Sequence, residues 1–236
     1  MTRDQVYGRR PVHEALRGRR EVLELWVTER ALKAEPWLRE LERPKAQVKL
    51  ERDLSEAAGT RDHQGVVAWT EPYTYADAYE LAAGDRPLLA CLDQVSDPRN
   101  LGAVCRSAEG AGATGVVVPA HGSALVTPAV ARASAGAIEH LPIAVVTNLA
   151  RYLEEIKSGS LWVAGAAGEK GTPMWRADLS GGLAFVFGAE GKGLRPLVRR
   201  TCDLFVAIPQ LGRVASLNVS VAAAVLLYEA RRQRGG

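Results

Sequence analysis

Side chains that could do chemistry gather in three stretches of the chain, each directly after a short apolar run. The first, DPRNLGAVCRSAEGAG (97–112), carries Asn100 and, about two helical turns later, Arg106. In the second, FGAEGKGL (187–194), Gly188, Gly191 and Gly193 surround Glu190. Glycines there let backbone approach a ligand closely. The third is IPQLGRVASLNVSVA (208–222), where Ser216 reads as the N-cap of the following helix and Asn218 as a residue of its first turn. Each stretch also has a plain reading: a surface arginine, an ordinary glycine loop, a helix cap. What favours function is that all three follow predicted strands of one sheet, the edge where α/β proteins bind ligands.

The spacings exclude several chemistries. GAEGKG (188–193) does not fit G-x-G-x-x-G, and GKG lacks the Ser or Thr that follows lysine in a P-loop. GAGATG (110–115) does fit the dinucleotide pattern, but it ends a helix and precedes a strand, so it reads as a turn. A nucleotide-dependent oxidoreductase is therefore disfavoured. His13, His63, His121 and His140 make no metal-ligand spacing with each other or with a cysteine, and no metal is expected. Cys91, Cys105 and Cys202 are expected as buried free thiols.

With 47% hydrophobic residues in 236, the chain can bury a sizeable core, and its length suits one large domain or a medium one with a small companion. No apolar run approaches a membrane span, and the first residues lack a signal-peptide core, so a cytoplasmic protein is expected. Net charge is only +3, yet residues 1–20 hold six arginines against two acids, and Arg231, Arg232 and Arg234 close the chain. Basic ends of this kind suit a polyanion such as nucleic acid; a solvated face of an arginine-rich chain (24 Arg, 6 Lys) is the competing reading.

The elements that must position these residues fall into two groups. Residues 1–70 read as a small α/β unit: helix around RRPVHEALRG, strand 22–27, helix 35–42, strand 46–50, helix 53–59, strand 65–70. Residues 71–87 read as a linker with one helix. From residue 88 the rhythm lengthens, with apolar runs at 88–92, 115–118, 143–146, 161–165, 183–187 and 204–208 and helical stretches between most of them. Such continuous apolar strands argue for a parallel sheet covered on both faces. The last helix, NVSVAAAVLLYEA, is apolar nearly all round and is expected to be buried or to sit in a subunit interface.

Taken together and in this order, the three stretches resemble the SpoU (TrmH) family of RNA ribose 2′-O-methyltransferases. Its D-P-x-N-x-G motif with a downstream arginine matches Asp97, Pro98, Asn100, Gly102 and Arg106; its second motif matches Phe187–Leu194 and its third Ile208–Ala222. YGRRPVHEAL near the start, HQGVVA (63–68) and VTNLARYLEE (146–155) are similar to the subgroup that methylates a guanosine of 23S ribosomal RNA. Gln210 departs from the family, which commonly has methionine there. The resemblance implies an α/β fold: a trefoil-knotted parallel-sheet methyltransferase domain (88–236) preceded by a small L30e-like RNA-binding domain (1–70). It implies S-adenosylmethionine as methyl donor, RNA as substrate, and a homodimer with no metal. It implies a catalytic set of Arg106, Asn100, Glu190, Ser216 and Asn218, and cofactor contacts at Gly188, Ile208, Leu217, Gln210, Glu190 and Ser216, largely through backbone. Arg106 would act as a base assisted by a substrate phosphate or as a clamp on phosphate and alkoxide. Glu190 would orient Arg106 or Asn218, and Asn100 would fix the ribose. Transfer RNA, another ribosomal nucleotide (antibiotic-resistance methylation included) and a non-catalytic RNA-binding role stand as alternatives.

Overall fold

The computed structural model describes residues 2–158, 160–168, 171–189, 191–214 and 216–235. Contacts divide it into two units, residues 1–74 with 126–140, and residues 75–125 with 141–236.

The first unit is built on β1 (Asp4–Tyr7), α1 (Arg9–Ala15), β2 (Val22–Val27), α2 (Glu29–Ala34), α3 (Pro36–Glu40), β3 (Gln47–Val48), α4 (Glu51–Ala58) and β4 (Val66–Thr70). Its four strands lie in the order β1-β4-β2-β3, with β4 antiparallel to both neighbours and β3 parallel to β2. Every residue of β4 is buried, which explains its unbroken apolar run. The inserted segment 126–140 supplies α7 (Pro128–Ala133), started by Thr127, whose Oγ1 accepts the Val130 N–H, and a 3₁₀ turn (Ala137–Glu139). Glu139 is buried and meets the Arg20 guanidinium through Nε at 3.0 Å, while Arg20 also reaches Asp4 at 3.2 Å. The expected boundaries, a linker at 71–87 and a second domain from 88 onward that includes 126–140, differ from this division. In the structure residues 71–74 continue the first unit, Glu71 N–H bonding Glu21 C=O, and residues 75–87 join the second through Ala76, which bridges Ala144.

The second unit contains α5 (Ala78–Ala82), β5 (Leu88–Asp93), α6 (Pro98–Gly110), β6 (Gly115–Pro119), β7 (Ile143–Val146), α8 (Leu149–Ile156), β8 (Leu161–Ala167), β9 (Thr172–Pro173), β10 (Gly182–Gly188), α9 (Pro196–Thr201), β11 (Leu204–Ala207) and α10 (Val219–Gln233). Its seven strands pair entirely in parallel in the order β7-β6-β5-β10-β8-β11-β9. Alternate strand residues face opposite sides. Leu89, Cys91, Ala184 and Val186 pack with Leu149, Tyr152 and Leu153 of α8; their neighbours Ala90, Leu92, Phe185 and Phe187 face the other side, where α6 and α10 pack on each other. Both faces are thus covered, as expected for strands of this composition. Because all strands run one way, their carboxyl ends share one edge.

Cys91 and Cys105 are buried and Cys202 is half-buried rather than buried. Burial pushes the Cys105 thiol up to about 12 and that of Cys202 to about 11, and raises Cys91 further still. All three are inert thiols at neutral pH.

Candidate active site

The carboxyl-end edge carries two adjoining cavities. One, of about 370 Å³, lies at the ends of β8, β10 and β11 and is lined by Gly188, Ala189, Gly191, Gly193, Ile208, Gln210, Ser216 and Leu217, with Phe187, Val206 and Leu226 among the apolar walls. The other, of about 420 Å³, lies at the ends of β5 and β10 and is lined by Gln94, Ser96, Asp97, Asn100 and Lys192. Ala189 and Val219 line both.

The local sequence explains how each group arrives there. Asp97 caps α6, its Oδ1 accepting the Arg99 N–H at 2.8 Å, and Pro98 occupies the first turn, where a missing N–H costs nothing. Asp97-Pro98 is therefore a helix start, and it sets Asn100 in the first turn facing the second cavity. A side chain on Gly188 would overlap the backbone of Gly193, so only glycine permits this crossing, which is held by Gly193 N–H to Ala189 C=O at 2.8 Å. The loop turns through Gly193 at φ 66°, a left-handed conformation that other residues resist.

Asn218 Nδ2 donates to Asn100 Oδ1 at 3.1 Å, so residues 118 apart in sequence meet. Asn218 Oδ1 accepts from Ser220 N–H at 2.9 Å and Ser220 Oγ at 2.6 Å. This corrects two expectations. The cap of α10 is Asn218, and Ser216 lies before the helix, exposed on the wall of the first cavity. The physical reason is competition: both residue types cap well, and the one whose carbonyl reaches Ser220 starts the helix.

Of the remaining expected residues, Gly188, Ile208, Gln210, Ser216 and Leu217 all line the first cavity. Gln210 turns its Nε2 onto the Ile208 C=O at 3.0 Å. Glu190 lies outside the described residues. Arg106 is exposed and lines neither cavity, having no ion-pair partner among the described residues. Six residues of α-helix separate it from Asn100 by about 9 Å along the axis and about 120° around it. Lys192, Gln94 and Ser96 also line the second cavity and carry no signal in the sequence: GKG lacks the residue that completes a P-loop, and the turn after β5 has no motif spacing.

The first cavity fits the adenosine part of S-adenosylmethionine in kind. Its walls are largely apolar, it carries backbone groups rather than a charged clamp, and one of its walls is the Gly188–Gly193 crossing, which a Cβ at Gly188 would force apart. Among the described residues no group of three or more His, Cys, Asp or Glu is placed to hold a metal ion.

An all-parallel sheet with two adjoining cavities at its carboxyl ends, one largely apolar and glycine-walled and one polar, is the architecture of a ligand-binding α/β protein. A family model described as the SpoU rRNA Methylase family matches residues 87–228, and one described as RNA 2′-O ribose methyltransferase substrate binding matches residues 5–76. The chain belongs to the SpoU methylase family. It is similar to a 23S rRNA (guanosine-2′-O-)-methyltransferase of Pseudomonas putida, with 41% identity over 98% of this chain and 97% of that one. Among solved structures it resembles an RNA 2′-O ribose methyltransferase (TM-score 0.84, 31% identity, 98% and 89% covered). It also resembles the SpoU methyltransferase AviRb of Streptomyces viridochromogenes bound to S-adenosylmethionine (TM-score 0.82, 27% identity, 98% and 90% covered).

Proposed function

We propose that the chain transfers a methyl group from S-adenosylmethionine to the ribose 2′-hydroxyl of a guanosine in 23S ribosomal RNA. The observation that supports this is the shared wall of the two cavities: Gly188, Ile208, Gln210 and Leu217, which would hold the cofactor, line a cavity that adjoins a polar pocket bearing Asn100 and Lys192. Relatives of about 40% identity across nearly the whole chain support guanosine of 23S RNA as the substrate.

Bound S-adenosylmethionine supplies a methyl group already activated by its sulfonium. The chain has to align the 2′-oxygen and take up or stabilise its charge as the proton leaves. Asn100, oriented by Asn218, offers an amide to the ribose. Lys192 places a cation beside it for the backbone phosphate. Arg106 reaches the same RNA from its exposed position, as a fork on phosphate or alkoxide or as a phosphate-assisted base. Ser216 and Glu190 complete the set. Loops 187–194 and 208–218 form the family's trefoil knot, and the first unit is the L30e-like RNA-binding part.

The protein works as a cytoplasmic homodimer. Leu211, Val214, Val221 and Tyr228 are exposed apolar groups on and before α10, while Ala223, Leu226, Leu227 and Ala230 are used inside the unit. No helix among the described residues is long and apolar enough to cross a membrane. Sedimentation at low concentration that shows only monomer would end the dimer reading.

The deciding experiment incubates the protein and methyl-labelled S-adenosylmethionine with total RNA from a strain lacking the gene, and maps the label. A 2′-O-methylguanosine in 23S RNA is the expected result. Label in transfer RNA would keep the reaction and overturn the substrate.

A further inference from the structure

One buried carboxylate is left unused by this chemistry. Asp93 ends β5, is fully buried, and lines neither cavity. Both its oxygens are engaged by one residue: Oδ2 accepts the Arg195 backbone N–H at 2.7 Å and Oδ1 accepts Arg195 Nε–H at 2.6 Å. A carboxylate is costly to take out of water, and these short, charge-assisted bonds are what hold it there. It follows the apolar run Leu88-Leu89-Ala90-Cys91-Leu92, where packing alone would favour another hydrophobe.

Its place in the ladder shows what it holds. Asp93 is the register partner of Gly188, the residue from which the 188–194 loop leaves β10. Arg195 is the first residue after that loop. The loop thus departs and returns at one rung of the sheet, with the Asp93 carboxylate as the tie across its base. Within the tie, Gly193 crosses over Gly188 and bonds Ala189. Gly188, Gly191 and Gly193 wall the first cavity, Lys192 the second, and Ala189 both. On the other side of the carboxylate, the chain runs straight into Gln94, at φ 61°, which begins the segment walling the second cavity.

We infer that Asp93 is a positioning residue for methyl transfer. Through Arg195 it holds the 188–194 loop in the shape that walls both cavities, and so sets cofactor affinity without touching the cofactor. The inference rests on the assignment of the first cavity to S-adenosylmethionine.

The test is Asp93→Asn, which keeps the shape and one acceptor but removes the charge, beside Arg195→Ala and Arg195→Lys. S-adenosylhomocysteine is the binding probe in calorimetry, and amide hydrogen exchange is followed on the full chain without ligand. Asp93→Asn is expected to weaken binding about tenfold or more, the worth of a hydrogen bond to a charged group. KM for S-adenosylmethionine should rise in parallel, with kcat held within about threefold, the signature of lost ground-state binding. Exchange should speed up at 189–195 while β5 and β10 keep their protection. Arg195→Ala keeps the backbone bond and should show a smaller version of both effects, which Arg195→Lys partly reverses. Wild-type affinity together with unchanged loop exchange in Asp93→Asn overturns the proposal. If that variant fails to fold, unchanged affinity and loop exchange in Arg195→Ala overturn it equally. Faster loop exchange in the variants with no cofactor binding by the wild type would uphold the tie and reject the cavity's assignment, so the two failures are distinct.

Discussion

At the scale of single residues, the site depends on places where only one side chain works. Gly188 is such a place, because any Cβ there would occupy the backbone of Gly193. Gly188→Ala must push the loop outward, and we expect at least a tenfold loss of S-adenosylhomocysteine affinity, about 1.4 kcal/mol, by calorimetry. Arg106 is the opposite case, an exposed group with space around it. Under the proposed function it would act through the planar fork that a lysine cannot reproduce. Arg106→Lys is expected to lose most methyl-transfer activity while cofactor affinity stays at the wild-type value; full activity would remove Arg106 from the mechanism. These two residues were legible in the sequence because motif spacing marks them. Asp93 and Lys192 were not, since a single acid at a strand end and a lysine between glycines are common in any sequence, and only the contacts give them meaning.

At the scale of elements, charged groups join segments that are remote along the chain. Arg20 and Glu139 form a buried pair, with side-chain exposures of 9% and 1%, that ties the 3₁₀ turn after α7 to the loop before β2. Removing one partner strands the other's charge, so Arg20→Met is expected to lower stability by about 3 kcal/mol in a urea titration. A loss below about 1 kcal/mol would mean that water reaches the pair. Near the end of α10, Glu229 accepts hydrogen bonds from Arg232 and from Gln233, which also bonds the Ala177 C=O. The bond from Arg232, then that from Gln233, hold the Glu229 carboxyl down from 4.5 to about 2. A depressed carboxylate stabilises the fold above its unfolded value and loses that contribution as pH falls. Its share of stability is therefore present above about pH 4.5 and gone by about pH 2. Glu229→Gln should flatten that limb of the acid-unfolding curve, and an unchanged limb would show that the bonds do not persist in solution. Strands were the best-read elements, with 22–27 and 143–146 matching to the residue. The short ones, β1, β9 and α2, were missed because four, two and six residues carry too little period to register.

At the scale of the whole molecule, the division into two units is not a single cut. Segment 126–140 lies in sequence between β6 and β7 but packs with residues 1–74. Val130, Ala131 and Ile138 are buried there, as is Glu139. A chain of residues 75–236 would expose all four. It is expected to be less soluble than the full chain, with solubility restored when 126–140 is replaced by a short polar loop. Equal solubility of both fragments would show that the segment does not need the first unit.

Residue order along the chain was enough to read the α/β class, the parallel sheet and the family, because strand burial, helix starts and motif order are written locally. It took the packed chain to show that Asn100 meets Asn218, that Asn218 rather than Ser216 starts α10, that segment 126–140 joins the first unit, and that Asp93 bonds Arg195 across the base of the loop after β10. The cap is a local competition between two good capping residues, but the other three depend on which distant groups satisfy a polar or charged atom. Local spacing cannot encode that choice, because the partner lies tens to more than a hundred residues away and is selected by packing.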